Sequence, residues 1–239
     1  MKRACTILYM TFICHSLINI NAQNDPVANY LQQTEAYAGI YNGKMETPYN
    51  MVLYENLPYY MNADFTEATV VYKNSYYPNQ KVRLDLYKEQ LIVVPPGTQH
   101  AIALCSADVE RVNMHKYLKT FVWLDPSKES GLKTGFYMLL SEGEKMQLLC
   151  KERYSLQQKL RQTGAISYFE HGIRYYLLHN NRYYTVKNKG SFSKLFPQYK
   201  KQINKFAKNH RLDFKHQTEG SLVLLSNYCE ELLNSTNKQ

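Results

Sequence analysis

The sequence predicts an α+β protein: an antiparallel β-meander sheet that could be curled or barrel-like, followed by two or three C-terminal helices. Val82, Leu84 and Leu86 alternate with polar residues, and this period of two is typical of a strand with one buried and one solvent-facing side. Residues 91–94 are apolar without alternation, which suits a strand covered on both faces. After Lys187 the hydrophobic period becomes helical, so strands come first and helices last, as in α+β folds.

The central stretch, residues 69–94, is expected to be the scaffold of the sheet. Its valines and leucines point into the core in this interpretation, and its polar row, Lys81, Arg83, Asp85 and Tyr87, points to solvent. The stretch carries no catalytic pattern. Any binding function of the sheet is therefore expected on the outward row, with Arg83, Asp85 and Tyr87 as candidate binding residues.

The antiparallel β domain is predicted to span residues 39–187. The Pro-Pro-Gly sequence at 95–97 ends the central meander, because proline has no N–H for a ladder and glycine permits a turn. Glu-Gly-Glu at 142–144 and Asn-Asn at 180–181 predict two hairpin turns. Residues 157–163 are polar, and we expect them to be disordered or briefly helical. Other short strands are expected at residues 101–105, 109–114, 118–124, 135–141, 145–153, 166–169, 173–178 and 182–186.

The C-terminal helices are predicted within residues 188–234, packed on the sheet in the same domain, with a tail at residues 235–239. Pro197 suits the first turn of a helix whose apolar face is separated from its lysines. Thr218 is expected to cap a last, more apolar helix.

The first 22 residues match a secretory signal peptide. Lys2 and Arg3 form a positive start, a mostly apolar run follows, and Ala22 is the small residue before the junction. The run is short for a membrane-spanning helix, and no later stretch approaches the roughly 20 apolar residues that a span needs. We therefore expect an exported protein, periplasmic, outer-membrane-associated or extracellular, that begins with a polar lead-in at residues 23–38 and has no transmembrane segment after cleavage.

The charge of the chain is concentrated near its C-terminus. The whole chain has 29 Lys and Arg against 20 Asp and Glu, and residues 187–216 hold nine of the basic residues and a single acid, Asp213. The candidate binding residues on the predicted helix are Lys200, Lys201, Lys205 and Lys208. Their functional interpretation is a footprint for an anionic glycan, a lipid surface or an envelope protein, rather than nucleic acid. The alternative interpretation is the solvated face of a helix docked on the sheet.

Catalytic and metal-binding motifs are absent from the sequence. It has no nucleophile elbow, paired-histidine zinc helix, Gly-rich phosphate loop or Cys-x-x-Cys pair. We therefore expect no cofactor, no metal and no catalytic residue, and we expect a non-enzymatic binding or structural protein of the cell envelope. Of the three cysteines that follow the signal peptide, Cys105, Cys150 and Cys229, at most two can pair, and buried thiols are the simpler expectation.

Two other functions stay open at this point. A hydrolase acting on an envelope polymer would need acid–base residues contributed by separate strands, and a deep pocket where two or more of the candidates converge would favour it. The candidates are Asp85, Glu89, His100, Glu170, His171 and His179. A carrier of a small hydrophobic ligand would instead need a closed sheet with an empty apolar interior.

Several segments resemble uncharacterised secreted proteins of Bacteroidota-type bacteria. The segments are Tyr41-Asn-Gly-Lys, Leu57-Pro-Tyr-Tyr, Phe65-Thr-Glu-Ala-Thr-Val-Val-Tyr-Lys, Val82-Arg-Leu-Asp-Leu-Tyr-Lys-Glu-Gln-Leu-Ile-Val, Gly135-Phe-Tyr-Met-Leu-Leu and Lys189-Gly-Ser-Phe-Ser-Lys-Leu-Phe-Pro. The resemblance covers most of the chain after the signal peptide. It implies an envelope or exported location, and it implies no activity.

Export can be tested directly. We expect cleavage between Ala22 and Gln23, because the small residue precedes a polar junction. Intact-mass measurement of the exported protein would give a chain that begins at Gln23. A mass that retains the first 22 residues would contradict the signal-peptide prediction.

Overall fold

The computed structural model describes residues 39–126, 131–162 and 164–236, and within them it has eleven β-strands followed by three α-helices. This architecture confirms the predicted α+β class, an antiparallel sheet followed by C-terminal helices. The predicted signal peptide, the lead-in and most of the tail lie outside the described residues. In the described part of the chain, no helix is long and apolar enough to cross a membrane.

The strands are β1 (Lys44–Met45), β2 (Thr66–Tyr72), β3 (Ser75–Asp85), β4 (Gln90–Val94), β5 (Ile102–Ala103), β6 (Val109–Met114), β7 (Lys119–Leu124), β8 (Gly135–Glu142), β9 (Met146–Arg161), β10 (Gly164–His179) and β11 (Arg182–Val186). The helices are α1 (Lys189–Leu195), α2 (Lys200–Asn209) and α3 (Thr218–Thr236). Short 3-10 turns at Ser106–Asp108 and Pro197–Tyr199 precede β6 and α2.

The sheet consists of two meanders that meet at β2 and β6. Its strand order is β1-β5-β4-β3-β2-β6-β7-β8-β9-β10-β11, and every pair in it is antiparallel. The first meander runs backwards along the sheet from β2 to β5, and the chain then returns to place β6 beside β2. Since β1 and β11 are the two edges of this order, the sheet is open and not a closed barrel.

The first meander is strongly curled because a short connector ties its ends together. Residues 104–108 bind the β3–β4 turn through Ser106 Oγ, which donates to the Glu89 carbonyl at 2.6 Å. They also bind the β2–β3 turn, where the Lys73 N–H donates to the Asp108 carbonyl at 2.9 Å. Five residues span at most about 18 Å, whereas a straight strand of the length of β3 would span about 36 Å. β3 must therefore bend, and the bend lies at a β-bulge beside Asn79, whose φ is +54°.

The second meander contains an arm that projects from the sheet. All sixteen residues of β9 pair with the sixteen residues of β10. β8 pairs with β9 only as far as Cys150, and β11 pairs with β10 only as far as Tyr175. The two strands therefore extend beyond β8 and β11 as a two-stranded ribbon, residues 151–161 and 164–174, which we call the arm. At roughly 3.3 Å per residue the arm is about 35 Å long.

The expected disorder or short helix at residues 157–163 is wrong, because β9 continues through this stretch as far as residue 161. Lys159 lies opposite Ile166, and its ammonium lies 5.0 Å from the centre of the Tyr168 ring. The loop before β2 also bonds to the backbone of Ser167 in β10. Long-range pairing thus imposes a strand on residues whose own propensity for one is low.

The core of the described chain has two large adjoining clusters and two smaller ones. The first lies mainly within the curled strands and includes Cys150, and the second packs the three helices against β9 and β10. Leu140 and Tyr175 contact both clusters, so the core is continuous. The buried members of the second cluster are Met146, Leu148, Leu177, Val186, Phe192, Phe196, Ile203, Leu222, Leu225 and Cys229.

A buried ion pair joins the β3–β4 turn to β8 and β9. Lys151 Nζ lies 2.6 Å from Glu89 Oε1, and only 4% of the Lys151 side chain is exposed. Both side chains also bind the backbone of Phe136, whose N–H donates to Glu89 Oε2 at 2.7 Å and whose carbonyl accepts from Lys151 Nζ at 2.8 Å. Gly135 is required beside them, since its φ is +143° and a Cβ there would lie 2.5 Å from both charged groups.

We expect Lys151→Met to destabilise the fold by about 3–5 kcal/mol, because it leaves the Glu89 carboxylate without its counter-charge. Burial raises the pKa of Glu89 and lowers the pKa of Lys151, so each charged form depends on its partner. Adding Glu89→Gln should recover only part of the loss, because the carbonyl of Phe136 still lacks a donor. Chemical denaturation measures both free energies of unfolding.

The matched control is Lys73→Met. Lys73 lies 3.6 Å from Asp108, and more than half of its side chain is exposed, so its removal should cost about 0–1 kcal/mol. An equal loss in the Lys73 and Lys151 variants would contradict a structural role for the buried pair.

Candidate functional site

The four lysines predicted on a helix lie on the solvent side of α2. Lys200, Lys201, Lys205 and Lys208 are all exposed, and we call these four residues the basic face. The opposite side of α2 is in the core, where Ile203 and Ala207 are buried. Because that apolar side is already covered, α2 has no free apolar surface to insert into a bilayer. Any contact made through the solvent side of α2 would be mainly electrostatic.

The charge around the basic face is not balanced within the fold. All nine lysines and arginines of residues 187–216 are exposed, and in the described chain none of them forms an ion pair. The one acid of this stretch, Asp213, accepts from the backbone N–H groups of Lys215 and His216 and from the His216 ring. These bonds lower the pKa of Asp213 to about 2. A strong positive field therefore faces solvent here.

The predicted facing of the outward row is wrong for Arg83 and Asp85. Lys81 and Tyr87 are exposed, but Asp85 has no exposed surface and only 13% of the Arg83 side chain is exposed. The segment between β1 and β2 covers this face of β3. Of the row, only Lys81 and Tyr87 are exposed to solvent.

Residues of the covering segment pair with Arg83 and stack on it. Arg83 Nη2 lies 2.7 Å from Glu46 Oε2, and its guanidinium lies 4.3 Å from the ring centres of both Tyr59 and Phe65. Nη1 of Arg83 donates to the Ala63 carbonyl at 2.7 Å. This environment pairs and stacks the guanidinium, which explains its burial.

Two of the six acid–base candidates lie at the β3–β4 turn, Asp85 at the end of β3 and Glu89 within the turn. Asp85 accepts from the N–H groups of Tyr87 and Lys88 and from the Tyr49 hydroxyl, so it shapes the turn, and burial raises its pKa. Glu89 forms the buried ion pair. A cleft of about 630 Å³ borders the turn, and Glu89 lines it but Asp85 does not.

The other four candidates are placed elsewhere. Glu170 and His171 are neighbours in β10, and both line a cleft of about 260 Å³ on the arm. His100 is exposed in the loop before β5. His179 ends β10, and its ring packs against Phe196 at 5.2 Å between ring centres. The structure therefore does not bring the six residues into one pocket.

His171 has a partner that sequence reasoning missed. Its Nε2 lies 2.9 Å from Glu152 Oε2, and its ring stacks on Tyr154 with 4.7 Å between centres. Glu152 and Tyr154 share one face of β9 because strand side chains alternate. Glu152 and His171 are 19 residues apart and meet only through the β9–β10 register, so no local motif could have identified them.

The Glu152 carboxyl lies in a mixed electrostatic environment. Burial raises its pKa, the adjacent His171 lowers it, and Glu219 raises it further. Glu219 itself is paired with Lys119 at 2.8 Å. Burial also raises the pKa of Tyr154 to about 12, so this phenol stays protonated and can donate. The cluster of Glu152, His171 and Tyr154 can exchange a proton or bind a polar ligand. It contains no activated nucleophile of the kind found in the catalytic motifs sought in the sequence.

Neither a metal site nor a disulfide is found in the described ranges. No three His, Cys, Asp or Glu side chains there are arranged to hold a metal ion. The three thiols are free: Cys105 is exposed, and Cys150 and Cys229 are buried. Burial raises the pKa of Cys150 and of Cys229 to about 12, so neither is a reactive thiolate.

Comparisons of the chain with protein-family models, with curated proteins and with solved structures find no match.

We expect the Glu152 carboxyl to titrate above the ordinary value of 4.5, and His171→Ala to raise its pKa further, because the ring that lowers it is gone. Carbon-13 NMR of the side-chain carboxyls measures both values. Because the folded pKa lies above the unfolded one, the contribution of Glu152 to stability is present at low pH and is lost as the pH rises through the folded pKa.

The control is His210→Ala, which removes an exposed ring stacked on Phe206 in another part of the chain. It should leave the Glu152 titration unchanged. A Glu152 pKa at or below 4.5, or no response to His171→Ala, would contradict the environment described for this carboxyl.

Proposed function

We propose that this chain is an exported, non-enzymatic binding protein of the bacterial cell envelope that holds an anionic partner on its basic face. The observation that carries the proposal is the set of nine exposed basic residues around α2, none of them ion-paired within the described chain. An exposed field of one sign attracts partners of the opposite sign and accelerates their association.

The burial of the apolar side of α2 supports peripheral contact rather than insertion. A helix that inserts into a bilayer needs its apolar side free, and here Ile203 has no exposed surface. The partner is therefore a surface rich in negative groups, such as an anionic lipid headgroup layer or an acidic glycan. Contact of this kind weakens as salt screens the charges.

The two alternative functions have less support. A hydrolase would draw on residues that the fold places in four separate regions. A carrier would need a closed sheet, and this sheet has two edges, β1 and β11. Among the six candidates and their partners in the described chain, a carboxyl and an imidazole meet at the Glu152–His171 pair.

We expect the protein to sediment with vesicles of phosphatidylcholine and phosphatidylglycerol, and to release them as salt is raised. Reversing all four charges of the basic face (Lys200→Glu, Lys201→Glu, Lys205→Glu and Lys208→Glu) should abolish sedimentation, because each lysine contributes about 1 kcal/mol near an anionic surface. Heparin-column retention should fall in parallel if the partner is a glycan.

The matched control reverses four exposed lysines away from α2, namely Lys44, Lys81, Lys116 and Lys133. It changes the net charge by the same amount and should retain most of the binding. Equal loss in both variants would show that total charge, not the basic face, is responsible. Binding that survives reversal of the basic face would refute the proposed function.

A further inference from the structure

A cleft opens beside the basic face, between α1, α2 and the loop that precedes α3. Its volume is about 510 Å³. Its lining includes Lys189, Ser193 and Lys194 from α1, Lys200 from α2 and Phe214 from the loop. We call it the basic cleft.

Three ammonium groups surround the basic cleft, and no acid lines it. Lys189 and Lys194 come from α1, and Lys200 is the first residue of α2. All three are exposed, and none forms an ion pair with a described residue. Like charges around a shared cavity repel one another, so an anion in the cleft would relieve that repulsion.

A second observation comes from the wall of the cleft. Ser193 is 91% buried, since its exposed fraction is 9%, and its hydroxyl has no hydrogen-bond partner in the described chain. Buried hydroxyls are normally bonded, and one that is not requires an explanation. The hydroxyl oxygen has almost no exposed surface, so a ligand oxygen in the cleft would supply the missing acceptor once the side chain rotates toward the cleft.

The chemistry of the donors favours a phosphate group over a carboxylate. The cleft contains no arginine, whose planar fork matches a carboxylate in two parallel bonds. Lysine acts as a compact point charge with three donors, and several lysines can approach a tetrahedral anion from different sides. A phosphate presents acceptor oxygens in all these directions and carries close to two negative charges near neutral pH.

We propose that the basic cleft is a binding site for a phosphate group of the anionic partner, held by Lys189, Lys194 and Lys200 with the Ser193 hydroxyl. This inference rests on the proposed function and adds to it: the basic face attracts the partner, and the cleft selects phosphate. The phosphate can belong to a lipid headgroup or to a soluble phosphorylated molecule.

Two triple variants of the full exported chain separate the cleft from the general field. The cleft variant is Lys189→Gln, Lys194→Gln and Lys200→Gln, and the outer variant is Lys201→Gln, Lys205→Gln and Lys208→Gln. Both remove three charges from exposed positions. Calorimetry with inorganic pyrophosphate should show a loss of affinity of about tenfold or more in the cleft variant, the factor expected for a lost charge-assisted bond, and less than about threefold in the outer variant.

Ser193→Ala removes the hydroxyl without changing the charge. It should weaken pyrophosphate binding about fivefold or more, as expected for one hydroxyl hydrogen bond to an anionic oxygen, while its thermal unfolding stays close to that of the unmodified protein. Equal losses of pyrophosphate affinity in the two triple variants would overturn the site. So would an unchanged affinity in both the cleft variant and Ser193→Ala. If vesicle binding still depended on the basic face, the proposed function would survive that result.

Vesicles of equal parts phosphatidylcholine and phosphatidic acid distinguish the sources of the phosphate. Binding to these vesicles that the cleft variant loses assigns the site to a lipid headgroup. Cleft-dependent binding of pyrophosphate without cleft-dependent binding of vesicles assigns it to a soluble phosphorylated ligand. Both results support a phosphate site, and failure of both probes to bind would overturn it.

Discussion

The Glu89–Lys151 ion pair joins the two meanders at a second place, away from the β2–β6 pairing, and several features of the fold depend on it. It replaces, at Phe136, the strand partner that β8 loses where it parts from β9. Two charges are costly to bury, and here their mutual attraction and their bonds to one peptide group offset that cost. The pair also orients the β3–β4 turn, whose Glu89 carbonyl holds the connector to β6. The buried ion pair therefore contacts both the curled first meander and the point at which β9 separates from β8 to form the arm.

The covering of β3 by the segment between β1 and β2 has consequences for function. It takes Arg83 and Asp85 out of solvent and gives them partners, Glu46 for the guanidinium and Tyr49 with two backbone N–H groups for the carboxylate. Aromatic rings of Tyr59 and Phe65 close the site around Arg83. The strand pattern predicts that Arg83 and Asp85 face solvent, where they could bind a ligand. In the structure they instead hold a loop on the sheet. A concentrated group of exposed, unpaired basic residues lies on the helices instead, where the proposed binding surface is.

The candidate sites differ in how far the sequence could predict them. The lysines of α2 could be predicted because helical periodicity separates them from Ile203 and Ala207, and this separation is local. The basic cleft could not, because it combines side chains of two helices with Phe214 from the following loop. The Glu152–His171 pair also lies beyond sequence reasoning, since a shift of one residue in the β9–β10 register would place the two side chains on opposite faces.

The sequence by itself determined the order of strands and helices, the turns at residues 142–144 and 180–181, and the division of α2 into apolar and basic sides. Each of these depends on residues within a few positions of one another. Only the tertiary structure decided that β6 returns to β2, that residues 157–161 are a strand, and that Asp85 is buried while the basic face stays exposed. These depend on partners far away in the chain, and the periodicity of a strand reports which residues share a face but not what covers that face.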